Sequence, residues 1–277
     1  MAIRIIESKQ NPRVKELRAA LLRPGRGDAE SIALEGIHLV VEALRSGLEL
    51  TTIFIAQGHE NLLGDLDLHD SIEVLSLPAE VLTSAVTTES PQPIAALARP
   101  RNWAWDQLLL SQSLLIVLSG IQDPGNLGTI LRSAEAFGAT GAICLTGTVS
   151  RWNPKAMRAS AGSVFRLPIL SASEEECFNR LQANGIQSIA AMAHDAQPLS
   201  TIDLSQPTAF LIGSEGSGLS AEIAARCNAR VTIPCPGPVE SLNAAVAASI
   251  LLYEASRQRS DRSRRSDRSS DRRGPAR

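Results

Sequence analysis

The 277-residue chain has no apolar run that could cross a bilayer. The longest, Leu114–Leu118 and Ala244–Leu252, fall far short of the roughly 20 residues a spanning helix needs, and Glu254 and Arg257 close the second. The opening Met1-Ala-Ile-Arg-Ile-Ile-Glu7 is charged within seven residues, so no secretory signal is expected. Cysteine is sparse: Cys144, Cys177, Cys227 and Cys235 stand singly, with no Cys-x-x-Cys pair and no paired histidines nearby. Neither a zinc site nor a disulfide framework is indicated, and a reduced, cytoplasmic protein without metal is expected. Also missing are the Gly-Lys-Ser/Thr ending of a phosphate-binding loop and the Gly-x-Gly-x-x-Gly of a dinucleotide fold. His38, His59, His69 and His194 lie near no Gly-x-Ser-x-Gly elbow, which leaves a hydrolase without support and the histidines as surface or packing residues.

Excess charge is missing from the whole but not from its parts. Lys+Arg 27 against Asp+Glu 29 leave a net charge of −2, which by itself speaks against a nucleic-acid partner. Yet Arg257 to Arg277 hold nine Arg and three Asp, a net of +6, so residues 1–256 carry −8. A hydrophobic fraction of 44% with 20% charged residues is globular. Residues 258–277, built of Arg, Ser and Asp, cannot bury a core and are expected to be a disordered tail, either adding sequence-independent phosphate affinity or serving solubility.

The patterning predicts two α/β domains. In residues 1–98, Asn11-Pro12 opens a helix with Val14, Leu17, Leu21 and Leu22 at helical spacing. Strand-like Ser31–Leu34, helical Gly36–Arg45, strand-like Leu50–Ala56 and Ile72–Leu75, and a helix after Pro78 follow. Arg4, Lys9, Arg13, Lys15, Arg18, Arg23 and Arg26 make this start basic, a nucleic-acid footprint only if they cluster on one face. Residues 99–113 read as a linker, with Trp103 and Trp105 packed against a domain. Residues 114–257 begin as strand, turn, helix and strand (Leu114–Ser119, Gly120–Gly125, Asn126–Phe137, Gly141–Leu145), a βαβ unit that requires a parallel sheet. Strand-like Gln187–Ala193, Thr208–Ile212 and Arg230–Ile233 and a helix from Leu242 to Arg257 continue it.

Three segments following strands concentrate the chemistry. In Asp123-Pro-Gly-Asn126-Leu-Gly128-Thr-Ile-Leu-Arg132, Asn126 is a good helix N-cap, and Arg132, a little under two turns on, can reach back toward an anion at the helix start. Ile212-Gly213-Ser-Glu215-Gly216-Ser-Gly218 surrounds one carboxylate with three glycines. Ile233-Pro-Cys-Pro-Gly-Pro-Val-Glu-Ser241-Leu242-Asn243 is stiffened by proline, with Ser241 or Asn243 as cap of a helix whose small residues favour close packing. Each alone is also compatible with a capped helix or a flexible loop.

Together, in this order, Asn-x-Gly-x-x-x-Arg, Ile-Gly-Ser-Glu-Gly-x-Gly and Ile-Pro…Ser-Leu-Asn-Ala-Ala-x-Ala resemble the three signature motifs of the SpoU/TrmH branch of the SPOUT RNA methyltransferases. The first hundred residues, with Leu34-Glu-Gly-Ile-His-Leu-Val-Val-Glu-Ala43, resemble that family's substrate-binding domain. The resemblance implies an N-terminal RNA-binding domain and a C-terminal, mainly parallel α/β domain tied in a trefoil knot through which the protein forms a homodimer. It implies transfer of a methyl group from S-adenosyl-L-methionine to a ribose 2′-hydroxyl of RNA. Ribosomal RNA is the favoured substrate; the alternatives are transfer RNA or a non-catalytic RNA-binding role at the ribosome. Gly213, Ile233 and Leu242, with Glu215, Gly216 and Ser241, would hold the cofactor. Arg132 would activate the hydroxyl; Asn126 would position the ribose or Arg132, Glu215 would orient Arg132 or the loop, and Ser241 and Asn243 would hold the cofactor loop and the target nucleotide. A guanidinium keeps its proton to above about pH 12, so Arg132 acts either as a strongly perturbed base or as a clamp on a phosphate that takes part in deprotonation.

Overall fold

The computed structural model describes residues 3–24, 31–88 and 90–271. The chain forms two compact units, Met1–Asn102 with Ser150–Arg166, and Trp103–Val149 with Leu167–Arg277.

The first unit runs β1 (Ile3–Ile5), α1 (Pro12–Leu22), β2 (Ile32–Glu35), α2 (Ile37–Arg45), β3 (Leu50–Ala56), β4 (Glu73–Leu77), α3 (Ala79–Thr83) and β5 (Ile94–Ala98). Its sheet has the order β1-β4-β3-β5-β2, with β5 antiparallel to both neighbours. Asn11 caps α1 by accepting from the Arg13 amide at 2.9 Å, and Pro12 occupies the first helical position, where its missing N–H costs nothing. Val14, Leu17 and Leu21 pack against Phe54, Leu75 and Leu97, whereas Leu22 points to solvent. Three of the cations read as an RNA footprint are engaged within the unit. Arg4 and Arg13 both pair with Glu73 at 2.9 and 3.0 Å, and Arg18 donates to Ser84. Lys9, Lys15 and Arg23 are exposed, and Arg26 lies outside the described residues.

The second unit opens earlier than its first strand. Residues 99–113 are not a plain linker, because α4 (Trp105–Leu108) buries Leu108 in the core of this unit, with Trp103 and Trp105 packed on the same cluster. Then come β6 (Leu114–Leu118), α5 (Pro124–Ala136) and β7 (Gly141–Leu145). Gly141 is required there: a Cβ would lie 2.5 Å from Leu108 Cγ and 2.9 Å from the Pro168 carbonyl oxygen. Helices α6 (Pro154–Ser160) and α7 (Ser163–Arg166) belong to the first unit, a departure from the continuous domain expected over 114–257. Arg166 ties them there by donating to Glu42 at 2.8 Å, and Trp152 stacks on Phe165. The chain continues through β8 (Ile169–Ala172), α8 (Glu174–Ala183), β9 (Gln187–Ala191), β10 (Gln197–Pro198), β11 (Thr208–Ile212), α9 (Ala221–Arg226), β12 (Ala229–Thr232) and α10 (Ala244–Asp271).

The seven strands lie in the order β10-β12-β9-β11-β6-β7-β8, and every neighbouring pair is parallel. Strands β6, β7 and β11 are buried at every position, as apolar runs covered on both faces must be. From β6 the chain first steps to β7 and β8 on one side, and later fills β9 and β11 on the other. The β6/β11 junction is therefore the place where the connections diverge. Burial pushes the Cys177 thiol up to about 12 and Cys227 up to about 11, so both are neutral at physiological pH. Among the described residues no helix is long and apolar enough to cross a membrane.

Helix α10 packs along α5 through Ala245, Ala248, Leu252 and other small or apolar residues. Ser133 and Ser249 share a 2.7 Å hydrogen bond, and Phe137 meets Tyr253 edge to face. The helix does not stop where the tail was expected to become disordered; it continues to Asp271, while residues 272–277 lie outside the described residues. Its extension is anchored by Arg259, which donates to the carbonyls of Leu204, Gln112, Ser113 and Gln206 at 2.7 to 3.0 Å. Burial lowers its pKa from the ordinary guanidinium value. A leucine there would strand several partly buried carbonyls, so Arg259→Leu is expected to cost about 2 kcal/mol. The melting midpoint should fall by about 4–8 °C. Arg257→Leu, which loses only exposed pairs with Glu254 and Asp261, should leave it nearly unchanged.

Candidate functional site

Strand β11 ends in Ile212-Gly213, and the chain at once folds back on itself. Ser214 and Gly218 form a one-pair bridge, with the Gly218 amide donating to the Ser214 carbonyl at 2.9 Å and Gly218 in the left-handed region at φ +66°. This return brings backbone directly over Gly213. A Cβ at Gly213 would lie 2.0 Å from the Gly218 carbonyl carbon and 2.2 Å from the Leu219 nitrogen, so only glycine fits.

The loop forms one wall of a cavity of about 920 Å³ at the carboxyl ends of β9, β11 and β12, within the size range of small-ligand sites. A second wall is the proline-stiffened segment from Ile233 to Leu242, and the floor includes Ala244, Ala247 and Leu251 of α10. Gly213, Glu215, Gly216, Ile233, Ser241 and Leu242, the six residues expected to hold a cofactor, all line this one cavity.

Asn126, Arg132 and Asn243 lie outside the lining. Two of them are joined to it by a chain of side-chain hydrogen bonds. Asn126 Nδ2 donates to Glu215 Oε1 at 2.7 Å, and Asn243 Nδ2 donates to Asn126 Oδ1 at 3.1 Å. Asn243 in turn caps α10, its Oδ1 accepting from the amides of Ala245 and Val246 at 2.9 and 3.3 Å; Ser241 has no part in that cap. Asn126 is not the cap of α5 either. Asp123 holds that place, accepting from the Asn126 amide at 2.9 Å, with Pro124 first in the helix. An aspartate three residues earlier thus frees the Asn126 amide group to bridge the loops after β6, β11 and β12. Glu215 orients Asn126 rather than Arg132. Arg132 is exposed on α5, without a hydrogen-bond or ion-pair partner among the described residues.

Sequence reasoning passed over the loop after β9, from which Met192, His194 and Asp195 line the cavity. Reading the strand through Ala193 hid it; it ends at Ala191. The available signal was topological, since ligands in parallel sheets sit at carboxyl ends of strands. Among the described residues no group of three or more His, Cys, Asp or Glu is placed to hold a metal ion.

A parallel α/β unit with a glycine-walled cavity at the carboxyl ends of its strands is the architecture of a small-ligand-binding enzyme domain. Residues 113–253 match the SpoU rRNA Methylase family, and residues 11–96 match the MRM3-like substrate binding domain. An uncharacterised tRNA/rRNA methyltransferase of Synechocystis is 37% identical over 91% of this chain and 93% of its own length. The 23S rRNA (guanosine(2553)-2′-O)-methyltransferase RlmP of Bacillus subtilis is 31% identical over 90% of this chain and 97% of its own. The crystal structure of the SpoU methyltransferase AviRb from Streptomyces viridochromogenes with AdoMet superposes with a TM-score of 0.79 at 28% identity, covering 90% of this chain and 98% of that one. The chain belongs to the SpoU family of RNA methyltransferases.

Proposed function

We propose that the protein transfers a methyl group from S-adenosylmethionine to a ribose 2′-hydroxyl of RNA, with ribosomal RNA as substrate. The observation that carries this reading is the adjacency of two things: a cavity walled by bare backbone, and the Glu215–Asn126–Asn243 chain that leads from its rim to the start of α5. The residues present fit the cofactor. Gly213 lets two backbone segments cross at van der Waals contact, and glycine- and proline-rich walls present amides and carbonyls to an adenosine edge. When bound, the cofactor supplies a methyl group on a sulfonium, already a good leaving group, so orientation is the main task left to the protein. Gly213, Gly216, Ile233 and Leu242 hold the adenosine part, and Ser241 faces the same space. Asn126, its amide fixed from both sides, positions the ribose. Arg132, exposed and without a partner among the described residues, is free to engage an RNA phosphate bidentately beside the hydroxyl that loses its proton.

The first unit is the RNA-holding domain in this reading, supported by the match of residues 11–96 to a substrate binding domain, and the RlmP relative's name supports ribosomal RNA as the substrate. The C-terminal unit is a trefoil knot and the homodimer contact, and the protein works in the cytoplasm. The exposed Val246 and Tyr253 on α10, at 48% and 53%, suit a surface covered by a second copy; sedimentation of the purified protein as a monomer would remove the dimer.

Mapping ribose methylations in ribosomal and transfer RNA from cells with and without the gene tests the substrate. Loss of one ribosomal site is expected, and loss of a transfer-RNA site instead would reassign it. Removing residues 263–277, which leaves Arg259 in place, should weaken RNA binding chiefly at low salt and flatten its salt dependence, with cofactor affinity unchanged. Identical RNA affinities across a salt series would show the tail to be a solubilising extension.

A further inference from the structure

The cavity read above as the cofactor site has an unusual charge balance. Among the described residues its lining contains three carboxylates, Asp195, Glu215 and Glu240, and no lysine or arginine. Phosphate-bearing ligands are held by basic side chains, so this lining has the wrong sign for a nucleotide and the right one for a cation. Resting on the cofactor reading, the charge change of the reaction then becomes significant. As the ribose oxygen bonds to the methyl carbon, the carbon–sulfur bond breaks with its electron pair staying on sulfur, and the hydroxyl proton leaves toward the base or phosphate. The sulfonium becomes a neutral thioether, and the ligand in the cavity loses one unit of positive charge.

We propose that Asp195 and Glu240 make the cavity select the sulfonium cofactor over its thioether product, so that methyl transfer itself weakens the hold on what remains. Asp195 is placed for this by its loop. Met192 donates its amide to the Val231 carbonyl at 2.8 Å, and Thr232 Oγ1 donates to the Ala193 carbonyl at 3.0 Å, which pins the loop to β12 just ahead of Asp195. Asp195 itself sits in the left-handed region at φ +55°, a conformation that Asp and Asn tolerate better than other side chains. Glu240 faces the same space from the segment before α10. Glu215 is committed to Asn126 and serves the site's geometry. A unit charge several ångströms from a carboxylate, in surroundings between protein surface and water, is worth about a three- to tenfold change in affinity.

The test is calorimetry on the full-length protein with three ligands: S-adenosylmethionine, S-adenosylhomocysteine, and sinefungin, which carries an ammonium in place of the methylated sulfonium. Asp195→Asn keeps shape and backbone preference and removes only charge; Glu240→Gln does the same. Each variant is expected to bind S-adenosylmethionine and sinefungin about three- to tenfold more weakly while binding S-adenosylhomocysteine within twofold of the wild type. In turnover the loss should appear in the KM for cofactor with no fall in kcat, because part of the positive charge these carboxylates attract is already gone in the transition state. Equal weakening of all three ligands, or no change in any, overturns the inference while leaving the cofactor assignment standing. A wild-type protein that binds neither S-adenosylmethionine nor its product overturns both.

Discussion

Arg132→Ala is expected to lower methyl transfer by about a hundred- to ten-thousandfold, the range for losing a group that acts on the reacting proton or on charge developing beside it. The same variant should bind S-adenosylmethionine normally, because Arg132 is absent from the cavity lining. It should also fold normally, because the side chain is exposed and makes no hydrogen bond or ion pair among the described residues. A guanidinium left without partners among the described residues is available to a partner from outside. Arg132→Lys separates two ways of engaging an RNA phosphate: a lysine keeps the charge but not the planar fork. Partial activity would favour a simple positive charge near the phosphate, and activity as low as the alanine variant would favour bidentate engagement. Single-turnover methylation of the identified RNA, with cofactor in excess, reads the chemical step; a rate equal to wild type would remove Arg132 from the mechanism.

Gly213→Ala should weaken cofactor binding about a hundredfold through sterics alone. The added methyl would sit 2.0 Å from the Gly218 carbonyl carbon and 2.2 Å from its oxygen, and these are backbone atoms that cannot rotate away. The loop must open, which separates the wall carrying Glu215 and Gly216 from the one carrying Ile233 and Leu242. Forcing atoms into a packed site costs about 1–3 kcal/mol or more, and the upper part of that range corresponds to an affinity loss of about a hundredfold. Gly237→Ala is the control: nothing lies within 4 Å of a Cβ there, Gly237 carries no positive φ, and it is outside the cavity lining. That variant should bind cofactor within a few-fold of wild type. Calorimetry distinguishes the two, and comparable losses in both would mean that the glycine-bearing walls tolerate no added methyl, not that Gly213 is the point of contact.

Short-range chemistry made much of the molecule legible before any coordinates. Helix α1 begins at Asn11-Pro12 because a side-chain acceptor followed by proline satisfies a helix start locally, and the apolar runs of β6 and β11 announce strands buried on both faces. The cofactor-lining residues were legible for a similar reason, since glycine and proline constrain the backbone where they stand. What failed were choices between local solutions of similar quality. Asp123 and Asn126 can each cap α5, and the choice fell to Asp123 because Asn126 is engaged by Glu215, 89 residues away in the chain. Arg259 looked like part of a solvated tail until four carbonyls at the amino ends of β6 and β11 claimed it.

The sequence by itself determined the two-part α/β character, the three chemistry-bearing segments and the family to which they point, because each of these resides in contiguous residues whose backbone preferences are local. Only the tertiary structure decided which groups share one space. It brought the six lining residues and Asp195 together at the ends of β9, β11 and β12, linked Asn243 to Glu215 through Asn126, left Arg132 without a partner among the described residues, and returned residues 150–166 to the first unit. These are pairings across long stretches of chain, set by strand order and side-chain reach. No local propensity encodes them.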